Sequence, residues 1–500
     1  MSEERPQRIV IAGGGTAGWM AAALLLKVLG RAVTVTLVES ETIGAVGVGE
    51  ATIPQILHLN RILELDEAQF LRATNGSIKL GIEFVGWHQP DDAYMHAFGV
   101  AGRAVGIAPF RHAYARGKAL GHRADFGAFS FNEAAARALR YHPQAGGGAI
   151  PHLVQAYHFD ASLYAKMLRQ QSEAGGAVRV EGLIDSVDRD GSSGDVTALV
   201  LQGGERVDGD FFIDCTGFRS LLLGDALQTP FTDWSHWLKC DRAWAAPCAK
   251  GGPFRPYTQS IAHKAGWQWR IPLQHRTGNG HVFCSEFMGD DEARDVLLAN
   301  LEGKPEADPR LIKFTTGRRE DAWSHNVVAL GLAAGFMEPL ESTSIHLIQS
   351  GMERLLKLFP GGEDNTRRRD KYNELTRIEW ERIRDFLIGH YKFNKREGEP
   401  FWDACRAMDI PATLAEKVEL FEESGTIHRD DDELFTEEGW QQLFLGQGIE
   451  PKSWHATVDP IQESELMKLL DIISSAFAAR AQKLPTHEEF IASITQKEPA

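Results

Sequence analysis

Cysteine is scarce in this chain: five residues in 500, Cys215, Cys240, Cys248, Cys284 and Cys405, with no CxxC pair. An odd, scattered set offers neither a disulfide framework nor a zinc site, so no metal is expected and a reducing compartment is. Long hydrophobic runs are absent too, none reaching the roughly 18 residues of a membrane span. The apolar stretch from Ala17 to Leu26 follows an acidic start, Glu3 and Glu4, and a triple glycine. It lacks the basic segment of a secretory leader. A cytoplasmic protein without a membrane segment is the expectation. Positive charge is also in deficit, 53 Lys and Arg against 69 Asp and Glu, for a net charge of −16. Phosphate backbones are bound by clustered Lys and Arg, so this balance argues against a nucleic-acid partner. The remainder is ordinary: 43% apolar, 24% charged, no low-complexity run. At roughly 150 residues per domain the length corresponds to about three domains, or to two larger intertwined units.

What is present begins at the amino end. Arg8 to Ala12 is a short apolar run suited to a buried parallel strand. It enters Gly13-Gly14-Gly15-Thr16-Ala17-Gly18, then a helical stretch from Trp19 to Leu29. A second strand, Val33 to Val38, ends at Glu39. This is G-x-G-x-x-G between strand and helix, with an acidic residue about 20 positions on. Gly13 permits the tight turn, Gly15 lets backbone approach a pyrophosphate, and Gly18 lets helix and strand pack closely. The free amides of Thr16, Ala17 and Gly18 at the helix N-terminus suit phosphate, and Glu39 suits a ribose hydroxyl. The fingerprint alone does not separate FAD from NAD.

Two later segments favour FAD. A strand from Asp208 to Ile213 leads into Asp214-Cys215-Thr216-Gly217-Phe218, and a strand from Asn326 to Leu330 leads into Gly331-Leu332-Ala333-Ala334-Gly335-Phe336. Such loops let backbone near Leu332 and Gly335 approach a flat ring or a ribityl chain, although two plain βα turns would look the same. The order of these pieces resembles the glutathione-reductase-type FAD fold. No second fingerprint sits on a strand-to-helix turn, so reducing power is expected from another protein. Gly44 to Pro54, containing Ala51, reads either as a hinged lid against the flavin or as a surface loop.

Four further segments carry the chemistry. Trp267-Gln268-Trp269-Arg270-Ile271-Pro272 alternates as a strand with both indoles on one face. Lys79 lies among apolar residues in Asn75 to Phe84, where snorkelling is the ordinary role of a lysine. Glu341 lies in Glu338-Pro339-Leu340-Glu341-Ser342-Thr343-Ser344 at a helix start, a common place for a carboxylate that complements the helix dipole. His96 and Phe98 in Tyr94-Met95-His96-Ala97-Phe98-Gly99 are two apart and share a face if extended.

Together these segments resemble the flavin-dependent halogenases of the tryptophan-halogenase type, in which W-x-W-x-I-P (Trp267, Trp269, Ile271, Pro272) is a signature. The resemblance implies that reduced FAD and oxygen form a flavin hydroperoxide, which chloride or bromide attacks to give hypohalous acid. Lys79 would capture that acid, by hydrogen bond or as a haloamine, and Glu341 would polarise the halogen donor or remove the ring proton. Amides of Thr343 and Ser344 would hold the halide, with Ser344 where the family commonly has glycine. His96 and Phe98 would sandwich the aromatic substrate. A separate flavin reductase is implied as partner. Tryptophan-specific members carry paired tyrosines near the amino-acid end of the substrate. The comparable stretch here, Glu438 to Ile449, has none, which points to indole or a substituted indole, since a zwitterion needs polar partners. Trp440, Phe444 and Trp454 would line a broader apolar pocket, or serve as core. The implied fold is α/β: a glutathione-reductase-type, Rossmann-like FAD-binding domain with a mixed substrate sheet over 1–350, and a helical module over 351–500. Alternatives are a flavin monooxygenase and a non-catalytic flavin- or aromatic-binding protein. The charged stretch from Glu363 to Arg384 reads as a solvated helix face.

Overall fold

The computed structural model describes residues 6–43, 49–361, 364–430 and 433–496. Contacts divide the chain into two compact units of three stretches each. One comprises Met1–Gly76, Phe159–Ser235 and Phe314–Trp380; the other comprises Ser77–His158, His236–Lys313 and Glu381–Ala500. After Lys357 the described elements are all helices. Among the described residues no helix is long and apolar enough to cross a membrane. All five cysteines are buried thiols.

The first unit is built on a six-stranded sheet. Strands covered on both faces need continuous apolar runs, and those runs are where the parallel strands form. Gln7–Ala12 lies between Val33–Glu39 and Phe211–Asp214, parallel to both, with Ile9 opposite Val35 on one side and Phe211 on the other. Val178–Glu181 and Val327–Ala329 extend the sheet in parallel, and only the edge strand Trp323–Ser324 is antiparallel. Helix Thr16–Leu29 buries Gly18 through Leu25. The single strand expected from Asp208 to Ile213 is instead two. Arg206–Asp208 pairs antiparallel with Val196–Leu201, and Phe211–Asp214 joins the central sheet. The break is local: Gly209 donates its amide to Thr197, and Asp210 donates to the Arg8 carbonyl while its carboxylate holds the Arg8 guanidinium at 2.6 Å.

Helix Ser344–Lys357 is fixed by a buried carboxylate. Glu379, on helix Thr366–Lys392, accepts from His346 Nε2 at 3.0 Å, Ser350 Oγ at 2.9 Å and Arg354 Nη2 at 2.8 Å. The solvated face expected there is therefore interrupted, with Glu379 and Arg384 both buried. Burial would raise the Glu379 carboxyl, but the hydrogen bonds and charges of His346 and Arg354 override it and hold it at about 2. A depressed folded value stabilises above the unfolded value near ~4.3 and is lost as pH falls towards it. Glu379→Gln should therefore cost roughly 3 kcal/mol at neutral pH, with the gap closing between about pH 4 and pH 2. Thermal unfolding of both proteins across that range checks this; a gap constant with pH would reject it.

The second unit is organised by an eight-stranded sheet in the order Arg310–Lys313, Arg242–Ala245, Arg276–Phe283, Gly266–Pro272, Thr258–His263, Gly81–Val85, Ala93–Ala97, with Cys248–Ala249 alongside Arg276–Phe283. Only Thr258–His263 and Gly81–Val85 are parallel. Trp269 stands opposite Gly280, where a Cβ would fall 2.1 Å from the indole, so the ring occupies the space a side chain would need. Trp267 and Trp269 share a face with ring centroids 6.2 Å apart, and Trp267 also packs on Trp87.

Candidate active site

Close approaches define the fingerprint loop. Gly13 has φ 105°, and a Cβ there would sit 2.3 Å from the Cys215 carbonyl oxygen. At Gly18 a Cβ would sit 1.9 Å from the Gly13 carbonyl oxygen. Gly15 differs: a Cβ there meets nothing within 4 Å, and helix Thr16–Leu29 that it begins has no side-chain cap. First-turn amides therefore face open space, the geometry a pyrophosphate needs, and the loop fits a dinucleotide. Two substitutions separate these roles. Gly18→Ala should lower stability by about 1–3 kcal/mol through overpacking. Gly15→Ala should leave the thermal midpoint of the flavin-free protein unchanged yet weaken FAD at least about tenfold, since its methyl enters the phosphate space. Thermal unfolding and flavin titration report the two effects; equal affinity in Gly15→Ala would place the phosphates elsewhere.

Glu39 folds back over Gly14, where a Cβ would overlap its carboxylate at 1.6 Å. The carboxylate accepts from Arg179 Nε at 2.5 Å, and from Arg169 Nη1 and Trp19 Nε1 at 3.4 Å each. With about four acceptor sites on a carboxylate, a ribose hydroxyl can still be held. Neither arginine was legible as part of this site, because both lie more than a hundred residues away in sequence.

The middle and late loops meet. Leu330 donates its amide to the Asp214 carbonyl at 2.9 Å, and Ser220 Oγ donates to the Ala333 carbonyl at 2.9 Å. Burial pushes the Asp214 carboxyl up although Thr216, Leu222 and Leu223 donate to it. Leu332 is half-buried in the turn Gly331–Ala333. Gly335 has a packing role, since a Cβ would fall 2.5 Å from the Gly317 carbonyl oxygen. Of the glycine-rich segment, Gly44–Val48 lie outside the described residues. Gly49–Ala51 is a short strand, Ala51 is buried, and the next helix is Ile56–Ile62. Burial pushes the Glu50 carboxyl up to about 7, although the residue as a whole keeps some exposed surface. Sequence gave no sign of that shift.

Glu341 precedes the helix rather than starting it. It ends the 3₁₀ turn Pro339–Glu341, and both Glu338 and Glu341 are buried. Ser342 follows with φ 60°, a left-handed conformation costing about 1 kcal/mol. Thr343 then begins helix Ser344–Lys357 without a side-chain cap. The amides of Thr343 and Ser344 thus stand at the positive end of a 14-residue helix, suited to an anion.

These residues belong to the first unit, and the aromatic side of the chemistry belongs to the second. Lys79 ends strand Ser77–Lys79 opposite Ala156; it is fully buried, with Nζ 5.3 Å from the Phe98 ring centroid. Phe98 lies just beyond strand Ala93–Ala97 and donates its amide to Leu80 at 2.9 Å. His96 packs on Phe386 and Phe435 at centroid distances of 5.3 and 5.9 Å. Trp440 closes the same cluster 4.7 Å from Phe386. Opposite His96 stands Gly439, whose Cβ would lie 2.9 Å from His96 Nε2. Gln442 pairs its amide with the Ala97 backbone, donating at 3.2 Å and accepting at 2.6 Å. Phe444 is enclosed by Phe393, Phe421 and Trp440, an environment of core type. Trp454 is only part-buried and donates to Asp459 at 2.8 Å. Phe386, Phe435 and Gln442 were not singled out from sequence, since only cross-strand and helix–strand packing reveals them.

A dinucleotide cradle on a parallel sheet and an uncapped helix behind a buried glutamate in the first unit, and a lysine buried against an aromatic ring in the second, fit a nucleotide-dependent enzyme. The comparisons make this specific. The sequence profile of the tryptophan halogenase family matches residues 8–463. A tryptophan 6-halogenase from Streptomyces toxytricini is 35% identical over 454 residues, covering 84% of each chain. Among solved structures, a flavin-dependent halogenase from Xanthomonas campestris superposes with a TM-score of 0.95 at 46% identity, covering 99% of this chain and 100% of the other. One from a Brevundimonas species gives 0.94 at 40% identity, covering 98% and 99%. The chain belongs to the tryptophan halogenase family and is a flavin-dependent halogenase. Its α/β fold with a helical carboxyl-terminal region is the one expected.

Proposed function

We propose that the chain binds FAD, receives it reduced from a separate flavin reductase, and places bromide or chloride on an electron-rich aromatic ring of the indole type. The observation that carries this reading is the Lys79 amine, fully buried and 5.3 Å from the Phe98 ring centroid. Burying a compact cation is costly, and an amine that must meet an electrophile beside an aromatic ring has a chemical use for that place. Reduced flavin supplies, with oxygen, the oxidising equivalents that turn halide into hypohalous acid. The residues do the rest. Gly13, Gly15, Thr16, Ala17, Gly18 and Glu39 hold the nucleotide, with Ala51, Leu332 and Gly335 towards the ring system. The amides of Thr343 and Ser344 hold the halide. Lys79 presents the electrophilic halogen, and the ring held by His96 and Phe98 attacks it. As the carbon–halogen bond forms and the O–halogen bond breaks, Glu341 takes the proton that the ring loses and passes it to the released hydroxide, which leaves as water. Trp440 bounds the ring's pocket, and Phe444 and Trp454 support that wall.

An indole-type substrate is favoured over a free amino acid because the polar side of helix Glu437–Gly446 offers no tyrosine pair, and Gln442 is already engaged by Ala97. A cytoplasmic location is supported by the five buried thiols. The test supplies a flavin reductase, NADH, FAD, oxygen and indole with bromide and then chloride, and reads the halogen isotope pattern by mass spectrometry. Halogenated indole is expected. Hydroxylated product indifferent to halide would overturn the reading.

Halide selectivity gives a finer check. If the ligand at position 344 is the backbone amide, Ser344→Gly should leave the halide KM within about threefold, because the helix N-terminus is retained. A rise of tenfold or more would make the hydroxyl the ligand.

A further inference from the structure

The strand carrying Lys79 is only three residues long and pairs with Ala156–Asp160 along one edge. Backbone pairing of that length fixes position weakly, yet Ser77 anchors it from within and the side chains of His158 and His487 reach it from outside. Ser77 Oγ donates to the Pro272 carbonyl at 2.6 Å. Its one proton is then used, so at 3.0 Å it accepts from His158 Nδ1. A neutral imidazole donating from Nδ1 must accept at Nε2, where Thr258 Oγ1 stands at 2.9 Å. Burial first, and then the neighbouring Lys79, hold His158 well below the usual histidine range and so in this neutral form. From the other side Ile78 donates its amide to His487 Nε2 at 3.1 Å, and His487 Nδ1 donates to the Phe254 carbonyl at 3.0 Å. Ser77, His158 and Lys79 lie on one face of the strand pair, and Ala156 opposite Lys79 leaves room for the stem.

We propose that Ser77, His158 and Thr258 are positioning residues that register the Lys79 amine against the final proline of the Trp267–Pro272 signature, so that this strand sets where the halogen is presented. The proposal rests on the reading of Lys79 as the presenting amine. The signature thereby gains a mechanical role: the Lys79 strand is held at Ser77 between two anchors, the Pro272 carbonyl directly and Thr258 through His158. Reactive distances must hold to within an ångström, and a shift of that size costs up to about a hundredfold in rate.

The test compares wild type with Ser77→Ala, with Thr258→Val (which removes the donor at nearly constant volume) and with Thr258→Ser (which restores it). Each enzyme receives a flavin reductase, FAD, bromide and indole, and four quantities are read: brominated indole per flavin oxidised, the ratio of brominated isomers, FAD affinity and the thermal midpoint. Coupling is expected to fall about tenfold in Ser77→Ala and Thr258→Val. The isomer ratio should change, a 1,3-diketone scavenger should trap the escaping oxidant, and the indole KM and FAD affinity should stay within twofold. Thr258→Ser should return to wild-type coupling. Where Ser77→Ala fails to fold, the Thr258 pair decides. Unchanged coupling and isomer ratio in Thr258→Val would overturn the proposal. Bromination surviving in Lys79→Ala would sink the reading beneath it instead.

Discussion

Lys79→Ala is expected to lose halogenated product by at least about 10²–10³-fold, the effect of deleting one preorganised donor, while flavin oxidation continues at the wild-type rate. The separation follows from where the residues sit. Lys79 is fully buried beside Phe98 in the second unit, whereas the fingerprint loop, Glu39 and the amides of Thr343 and Ser344 belong to the first. Under the proposed roles, removing the amine leaves the flavin cradle and the halide-holding amides intact and would delete only the delivery of halogen to the ring. Flavin consumption and halogenated product, measured in one reaction, report both quantities. A parallel fall in both would mean that Lys79 supports flavin binding or folding. Lys79→Arg should not restore the product, because a planar, delocalised guanidinium is not interchangeable with the compact ammonium it replaces in a fully buried place.

Glu341→Gln is expected to lower kcat by about 10²–10⁴-fold, the span of a general base, and to lower the halide KM as well. The two changes have one cause. Glu341 is buried, two residues before the helix-start amide of Thr343, so under the proposed roles an ionised carboxylate there would oppose an anion held on that helix. The isosteric amide removes both the base and the repulsion, so halide binds more tightly while the ring proton has nowhere to go. Initial rates across a bromide series separate the two constants. A kcat fall with an unchanged or raised halide KM would place the halide away from this helix.

Much of the first unit was legible because its signals are local. Strand, glycine loop, helix and second strand follow one another within about thirty residues, and each glycine has a steric reason that sequence alone suggests. The signature strand was equally plain, since alternation fixes which indoles share a face. Boundaries moved where tertiary contacts took over. Gly209 and Asp210 split an expected strand because Arg8, two hundred residues away, holds Asp210. Glu341 fell into a separate turn because Ser342 adopts a left-handed backbone that no composition rule predicts.

What the sequence determined by itself is the chemical vocabulary: a nucleotide-binding loop, a helix start for an anion, a lysine, a glutamate and an aromatic platform. Which of these touch was decided only by the tertiary structure. Lys79 meets Phe98 through the pairing of strands Gly81–Val85 and Ala93–Ala97, and His96 meets Phe386, Phe435 and Gly439 from far along the chain. Glu39 is held by Arg179 from a strand 140 residues further on, and the Lys79 strand by Pro272, His158 and His487. Periodicity reports the face a side chain occupies, but its partner depends on the register of distant strands, and that register is set by burial of the whole core rather than by any one segment.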